Sequence, residues 1–493
     1  MEHNFEHIGI EVPEALLPDK KVNMRKWAVI ACDQYTTNEA YWHEVERTVG
    51  GSPSSLHIML PEIYLQAPDR DARIASTKEI MTRYIDDGIL TLLPQGFILV
   101  ERTINRKVRK GLMVLVDLEE FDADPFKKAQ IRASEEVLAE RVQARMDIRT
   151  GAELEMPHIF LLMDDPQFKV IEPVWRRRES FTKLYDVDLM LHGGRATGYL
   201  IEDKNVEAEI LHQLSLLKTR DGMRFCVGDG NHSLATAKAV WEEAKQTLSP
   251  EEQENHPLRY AMCELVNLHD AAMPLLPIHR VISGVSSSMC IQYVVDHLNS
   301  VGADARLVFS RRKPALQVTE APEVIFFTSK SSSGRIEINA PSTRMLVEQI
   351  QPVLEDFVRE YPLAKLEYVH GDEEFERVTQ EYDTLGFVMP AMEKATFFDE
   401  LSEMGVFPKK CFSLGEANEK RYYIECRLLT EHEEEVPEEE VPEEENSETS
   451  ALNQETEEQE RIEEIFEETA QEETMPQKLK EFKISNLFKK KPE

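Results

Sequence analysis

The chain has 493 residues, 41% of them hydrophobic, and a net charge of −35. That length suffices for one large domain or two lobes around a sizeable core. The acidic balance excludes a general nucleic-acid binder, which needs a basic face against phosphates, but it is compatible with a local basic pocket.

The opening residues MEHNFEHIGIEVPEALL lack a basic region followed by an apolar run, so no signal peptide is expected there. WAVIAC (27–32) reads as a strand closed by Asp33, and NEAYWHEVERTV (38–49) and RIASTKEIMTRYIDDG (73–88) read as helices. GFILVER (96–102) and LMVLVDL (112–118) have strand length and apolarity, SEEVLAERVQAR (134–145) is helical, and HIFLLMD (158–164) is a further strand. DVDLMLHGGRATGYLI (186–201) reads as a hairpin about Gly193-Gly194, followed by a helix over 206–220.

RFCVGDGNHSLATAKAVWEEAK (224–245) is a short apolar strand that stops at Gly-Asp-Gly-Asn-His and runs straight into a helix. AAMPLLPIHRVISG (271–284) carries two prolines and reads as an edge or loop rather than a central strand. From about residue 285 the pattern becomes helix (290–301), strand (323–329), hairpin strand (335–340), helix (343–361) and strand (364–371), and this alternation continues to about Leu429. The expected class is α/β or α+β, with an N-terminal lobe over 1–285 and a C-terminal α/β lobe over 286–429.

Composition then changes. Residues 431–493 hold 23 glutamates against seven lysines and arginines, and 431–460 has almost no large apolar residue. Such a segment cannot bury enough surface to offset the entropy of ordering, so 430–476 is expected to be a disordered acidic tail. The terminal peptide 477–493 sets Leu479, Phe482, Leu487 and Phe488 among lysines. It reads as a solubilising end or as a short contact for a protein or an acidic surface. No apolar run nears the roughly 18–20 residues of a membrane span. Six scattered cysteines (Cys32, Cys226, Cys263, Cys290, Cys411, Cys426) without a C-x-x-C pair fit free thiols in a reducing, cytoplasmic setting.

The chemistry concentrates at residues 228–233. Gly228 and Gly230 permit positive φ and close backbone approach. The N–H groups of a first helical turn attract anions. Asp229 and His232 could there serve as metal or phosphate ligand and general acid/base, and Asp229 is the candidate metal residue. The plainer reading is that Asp229 caps the helix and His232 bonds a backbone group. His279 and Arg280 form a second candidate pair, since a guanidinium fork suits phosphate or carboxylate. The plainer reading there is an ion pair. Asp33 is a candidate base or a turn cap. Weaker candidates are Arg132, Glu135, Arg149, His158, Asp164 and Asp165, and the group Lys409, Lys410, Glu416, Lys420 and Arg421.

GDGNHSLATAK, LLPIHR, ACDQYT with YW, ELEMPHIFLLMDDP, LYDVDLMLHGG and KKCFSLGEANEKRYYIEC together resemble the domain-of-unknown-function family numbered 1015, over roughly residues 5–428. That family implies no settled reaction. Its Asp-Gly-x-His signature resembles the wider ParB/sulfiredoxin-like fold, which includes a free serine kinase and places nucleotide phosphates at a helix N-terminus. The resemblance implies a mixed-sheet core with large elaborations and ATP or ADP with Mg²⁺ as cofactor. Were the chain an enzyme, Asp229 would serve the metal or the substrate hydroxyl, His232 would act with it, His279 or Asp33 would be base or orienter, and Gly228, Gly230, Asn231, Ser233 and Arg280 would hold the nucleotide. Asp229, Gly230, Asn231 and His232 match the signature, but Ser233 stands where the kinase form has Arg. The sequence therefore supports two readings. One is a phosphotransferase on a small hydroxylated metabolite such as an amino acid; the other is a non-catalytic binding or scaffold protein that uses its tail.

Overall fold

The computed structural model describes residues 7–36, 38–314, 323–340 and 342–431. The acidic tail and the terminal peptide, with the disorder and surface contact expected of them, lie outside these residues. Met1–His432 forms one compact unit.

Its centre is a mixed sheet of ten strands. Reading across, it runs Thr182–Asp188, Arg195–Ile201, Phe97–Ile104, Lys107–Asp117, Tyr260–Asn267, Phe160–Met163, Phe225–Asp229, Ile131–Arg132 and Phe121–Asp122, with Ile10–Glu11 pairing on Lys107–Asp117. The apolar runs Phe97–Val100 and Leu112–Val116 account for the middle of this sheet. Phe97, Leu99, Leu112 and Val114 are fully buried and share one core with Phe225, Val227, Leu234 and Trp241. The Gly193-Gly194 hairpin closes as expected. Phe160–Met163 runs parallel to Tyr260–Asn267 and antiparallel to Phe225–Asp229, which makes the sheet mixed.

A second, antiparallel sheet of six strands runs Arg306–Ser310, Ser333–Glu337, Val324–Ser329, Thr384–Val388, His279–Ser283 and Lys365–Val369. The largest core joins the two sheets. It holds Phe160, Cys226 and Val266 from the first together with Phe327, Phe387 and the helix residues Val294 and Phe357 around the second. The described residues are thus a mixed α/β fold. Among them no helix is long and apolar enough to cross a membrane.

Three expectations change. WAVIAC is not a ladder strand. Asn23 caps a short helix Met24–Trp27 by accepting from the Arg25 and Lys26 N–H groups, and beyond it only Val29 bridges to Tyr423. The helix expected over 134–145 starts later, at Ala139, because Glu135 bridges to Phe407 and the Leu138 N–H donates to His232. The proline-framed Leu275–Leu276 pairs on one side only, as expected of an edge, but the His-Arg strand that follows it is central. His279–Ser283 pairs on both sides, because Pro274 and Pro277 precede the strand and leave its own N–H donors intact. The Pro-Ile-His-Arg motif, expected in the first lobe, therefore lies in the second sheet.

After the second sheet the chain returns to the first. Ser413–Leu414 pairs with Leu275–Leu276, and Arg427–Leu428 pairs with Leu154–Glu155. Buried charge fastens this return. Arg421 donates to Glu264, Glu425 and the Pro157 carbonyl, and Arg427 donates to Glu155 and the Pro257 and Tyr260 carbonyls. Buried carboxylates survive because each faces a guanidinium. Arg109 and Arg421 offset burial at Glu264, whose pKa stays below the ordinary carboxylate value.

Candidate functional site

The strand Phe225–Asp229 ends at Gly230, which sits at φ +89° and starts the helix Asn231–Ala244. A left-handed residue here suits glycine, and a Cβ would also stand 2.9 Å from Ile159 Cγ1. Gly228 is glycine for a packing reason: its Cβ would lie 2.5 Å from Leu414 Cδ1 and 2.7 Å from Leu162 Cγ. No side chain caps the helix, since the N-cap is Gly230 itself. The first-turn N–H dipoles therefore open on a cavity of about 690 Å³ lined by Gly228, Asp229, Gly230, Asn231, His232 and Ser233.

Asp229 does not cap the helix. Its carboxylate meets the Lys420 ammonium at 3.2 Å, and that lysine is buried in the returning segment. The Asn231 side chain is buried and tied to a neighbouring segment: its Oδ1 accepts from the Ser134 N–H at 2.9 Å. His232 Nε2 accepts from the Leu138 N–H at 3.2 Å, so the proton of the neutral ring is on Nδ1. Ser233 Oγ lies 2.7 Å from His158 Nε2.

The cavity lining is rich in basic residues. Arg141, Arg145 and Arg149 recur every four residues along the helix Ala139–Arg149, and Lys409, Lys410 and Lys420 come from the return segment. Some of this charge is spent within the wall: Arg145 pairs with Glu62, and Arg149 with Glu155 at 2.7 Å. Arg141 is exposed. The regular arginine spacing is a signal readable in the sequence, although only Arg149 was a candidate there. Glu62, His370 and Tyr423, which also line the cavity, carried no such signal.

His279 and Arg280 are not brought into this cavity. Both are buried in the second sheet. His279 Nδ1 accepts from the Met389 N–H at 3.1 Å, its Nε2 lies 3.7 Å from Asp372, and burial lowers its pKa to about 4. Arg280 donates to Gln351 Oε1 at 3.0 Å, to the Ile278 carbonyl and to the Lys409 carbonyl at 3.5 Å. Burial lowers its pKa to about 10. A guanidinium committed to three neutral acceptors behind the wall is a support for Ile278 and Lys409, not a phosphate clamp facing a ligand. Asp33 opens a 3-10 turn, Asp33–Tyr35, rather than closing a strand; its side chain is outside the described residues.

Asp164 and Asp165 lie elsewhere. Asp164 pairs with His269 at 2.6 Å and Arg220 at 2.7 Å, and Asp165 accepts from the Lys169 and Val170 N–H groups. Among the described residues no group of three or more His, Cys, Asp and Glu is placed to hold a metal ion. The one carboxylate expected to do so, Asp229, faces an ammonium.

The glycine-framed signature, the helix behind it and all of the carrying sheet but Ile10–Glu11 fall within a single family match. The model of the family described as "Protein of unknown function (DUF1015)" matches residues 15–347. The chain belongs to this family. The match ends before Lys409, Lys410, Lys420 and Arg421, so one wall of the cavity lies beyond it. No curated protein sequence matches the chain. Among solved structures it is similar to a free serine kinase in complex with AMP, at 12% identity and a TM-score of 0.36, over 66% of this chain and 94% of that one. It is also similar to a conserved hypothetical protein from Pyrococcus furiosus (11%, TM-score 0.33, 65% and 94%) and to SbnI with a C-terminal truncation from Staphylococcus aureus (11%, TM-score 0.30, 64% and 82%).

Proposed function

We propose that the cavity binds a phosphorylated small molecule, with a nucleotide such as ATP or ADP as the first candidate, and that the protein transfers a phosphoryl group to a small hydroxylated metabolite. The observation that carries this reading is the uncapped helix end at Gly230, which opens on a 690 Å³ cavity whose lining includes Arg141, Lys409 and Lys410. Cavities of a few hundred Å³ with a few convergent polar groups suit small ligands. Phosphoryl transfer asks chiefly for charge neutralisation and positioning, which backbone dipoles and cations supply. His232 lies at the same helix end, with Nδ1–H as its donor.

One observation favours binding without turnover. Asp229 is the carboxylate the signature would use as base, and Lys420 already holds it. A thermal-shift screen of nucleotides and small phosphate esters on the full chain, followed by a turnover assay on whatever binds, separates the two. A ligand present at 100 times its Kd stabilises by about 2.7 kcal/mol, a shift easily read. A shift with turnover is the expected result. A shift without turnover leaves a binding protein, and no shift from any phosphate compound overturns the reading.

A further inference from the structure

Ser233 is the third residue of its helix, and its hydroxyl behaves unlike that of its neighbour. Thr236 bonds back to the His232 carbonyl at 2.7 Å, as hydroxyls inside helices commonly do. Ser233 instead reaches another element, and its Oγ lies 2.7 Å from Nε2 of His158, which is 75 positions away in sequence. The other ring nitrogen of His158, Nδ1, is 3.3 Å from the Met156 carbonyl. A carbonyl only accepts, so Nδ1 carries the ring proton and Nε2 is the acceptor for the serine O–H.

Burial pushes the His158 pKa below the ordinary imidazole value. The Met156 hydrogen bond and the Asp229 charge oppose this shift, and Arg145 adds to it. The ring is therefore neutral near pH 7 and free to take a proton. Tyr423 packs beside the ring at 5.3 Å, and both Ser233 and His158 line the cavity. A hydroxyl, a neutral imidazole within hydrogen-bond reach and a third group that fixes the imidazole tautomer make up an activated nucleophile.

We propose that Ser233 is the nucleophile of this cavity, that His158 is its general base, and that the bond Ser233 forms is to phosphorus. This rests on the phosphate reading of the cavity. The donor class is a nucleoside triphosphate. Ser233 Oγ bonds to the terminal phosphorus as the bond from that phosphorus to the bridging oxygen breaks. The electron pair leaves on the nucleoside diphosphate, and the serine proton passes to His158 Nε2. The phosphoserine so formed stands in the first turn of a helix, where a dianion is favoured. The serine that replaces the arginine of the related signature then has a role of its own: it receives the phosphoryl group.

The test uses the full chain and two probes. An alkyl fluorophosphonate reports serine activation with no need for a nucleotide, because Oγ displaces fluoride from phosphorus. The expected result is one adduct at Ser233 by tandem mass spectrometry, absent in Ser233→Ala. In His158→Gln labelling is slowed by about 100-fold, the lower range for loss of a general base. The wild-type labelling rate falls only below an imidazole pKa lower than 6.5. No adduct at Ser233 in the folded wild-type chain, or an unchanged rate in His158→Gln, overturns the pair. ATP with Mg²⁺ is the second probe, and phosphoserine at position 233 is expected. Nucleotide binding without phosphoserine overturns the inference and leaves the proposed function standing. Fluorophosphonate labelling with no shift from a nucleotide or any other phosphate compound overturns the proposed function, and with it the phosphoryl donor, while the activated serine stands.

Discussion

Two short polar motifs end apolar runs in this chain, and they have opposite fates. Gly-Asp-Gly-Asn-His-Ser at 228–233 lies where a strand gives way to a helix, with its polar groups at a cavity. His279-Arg280 starts a strand that is paired on both sides, and both residues are buried. The residue types would serve a phosphate equally well. The element that each motif opens separates them: a helix leaves its first N–H groups free, whereas a strand commits its backbone to its neighbours and its side chains to the layers above and below. A histidine or arginine in sequence is thus a statement of chemistry, and only the flanking element says whether that chemistry meets a ligand.

The comparison is most sharply broken at Arg280. Arg280→Ala removes a large buried side chain and leaves Gln351 and two carbonyls without their donor. A loss of about 3–4 kcal/mol of stability is expected, from lost packing and unmet acceptors together, with ligand affinity little changed in the folded fraction. Denaturant melts and a binding isotherm check both parts. A large loss of affinity with unchanged stability would place Arg280 on the ligand after all.

His279 gives the next effect. The folded chain protonates it only near pH 4, against an ordinary 6.5 in the unfolded chain. Between those values the unfolded state binds more protons, so stability falls as the pH drops from 6.5 toward 4 and levels off below. The full amplitude is about 3 kcal/mol at most, for a shift of that size. Unfolding measured across pH 4 to 7 should show this slope, and His279→Gln should flatten it. An identical slope in the variant would assign the acid sensitivity to other groups.

The smallest effect belongs to the open motif. Lys420→Met removes the cation beside Asp229 and should weaken phosphate-ligand binding by about 1–2 kcal/mol, a factor of about 5–30. Titration calorimetry with the ligand found in the screen measures it. Unchanged affinity would mean that Lys420 only neutralises Asp229.

Much of the fold was legible because local pattern decided it. Phe97–Ile104, Lys107–Asp117, Phe160–Met163 and the Gly193-Gly194 hairpin follow from apolar runs and turn residues alone. WAVIAC misled because one asparagine at position 23 captured its first residue into a helical turn. The helix over 139–149 started late because Leu138 gives its N–H to a histidine 94 residues away. The site was half legible. Gly228, Asp229, Gly230 and His232 were found from their spacing. That Lys420 faces Asp229, and that His158 holds Ser233, depends on how distant segments meet, which no local pattern encodes. Lys420 was visible only as one member of a charged group and His158 only as a weaker candidate at the start of an apolar run, and the pairing gave them a role.

The return segment has a consequence for synthesis. Lys409, Lys410, Lys420 and Tyr423 form one wall of the cavity, and Arg421 reaches back 264 positions to the Pro157 carbonyl. On a ribosome the signature helix emerges long before its partner wall. Until residue 429 or so has cleared the exit tunnel, the carboxylate of Asp229 lacks its lysine, and Glu264 and Glu155 have only Arg109 and Arg149 and lack their second arginines. A nascent chain therefore carries an unfinished pocket with only part of its buried charge matched, and the last contacts made are among the most widely separated in sequence, which are slow to form. The cavity is therefore complete only late in the life of the polypeptide, once residues 409–423 are in place.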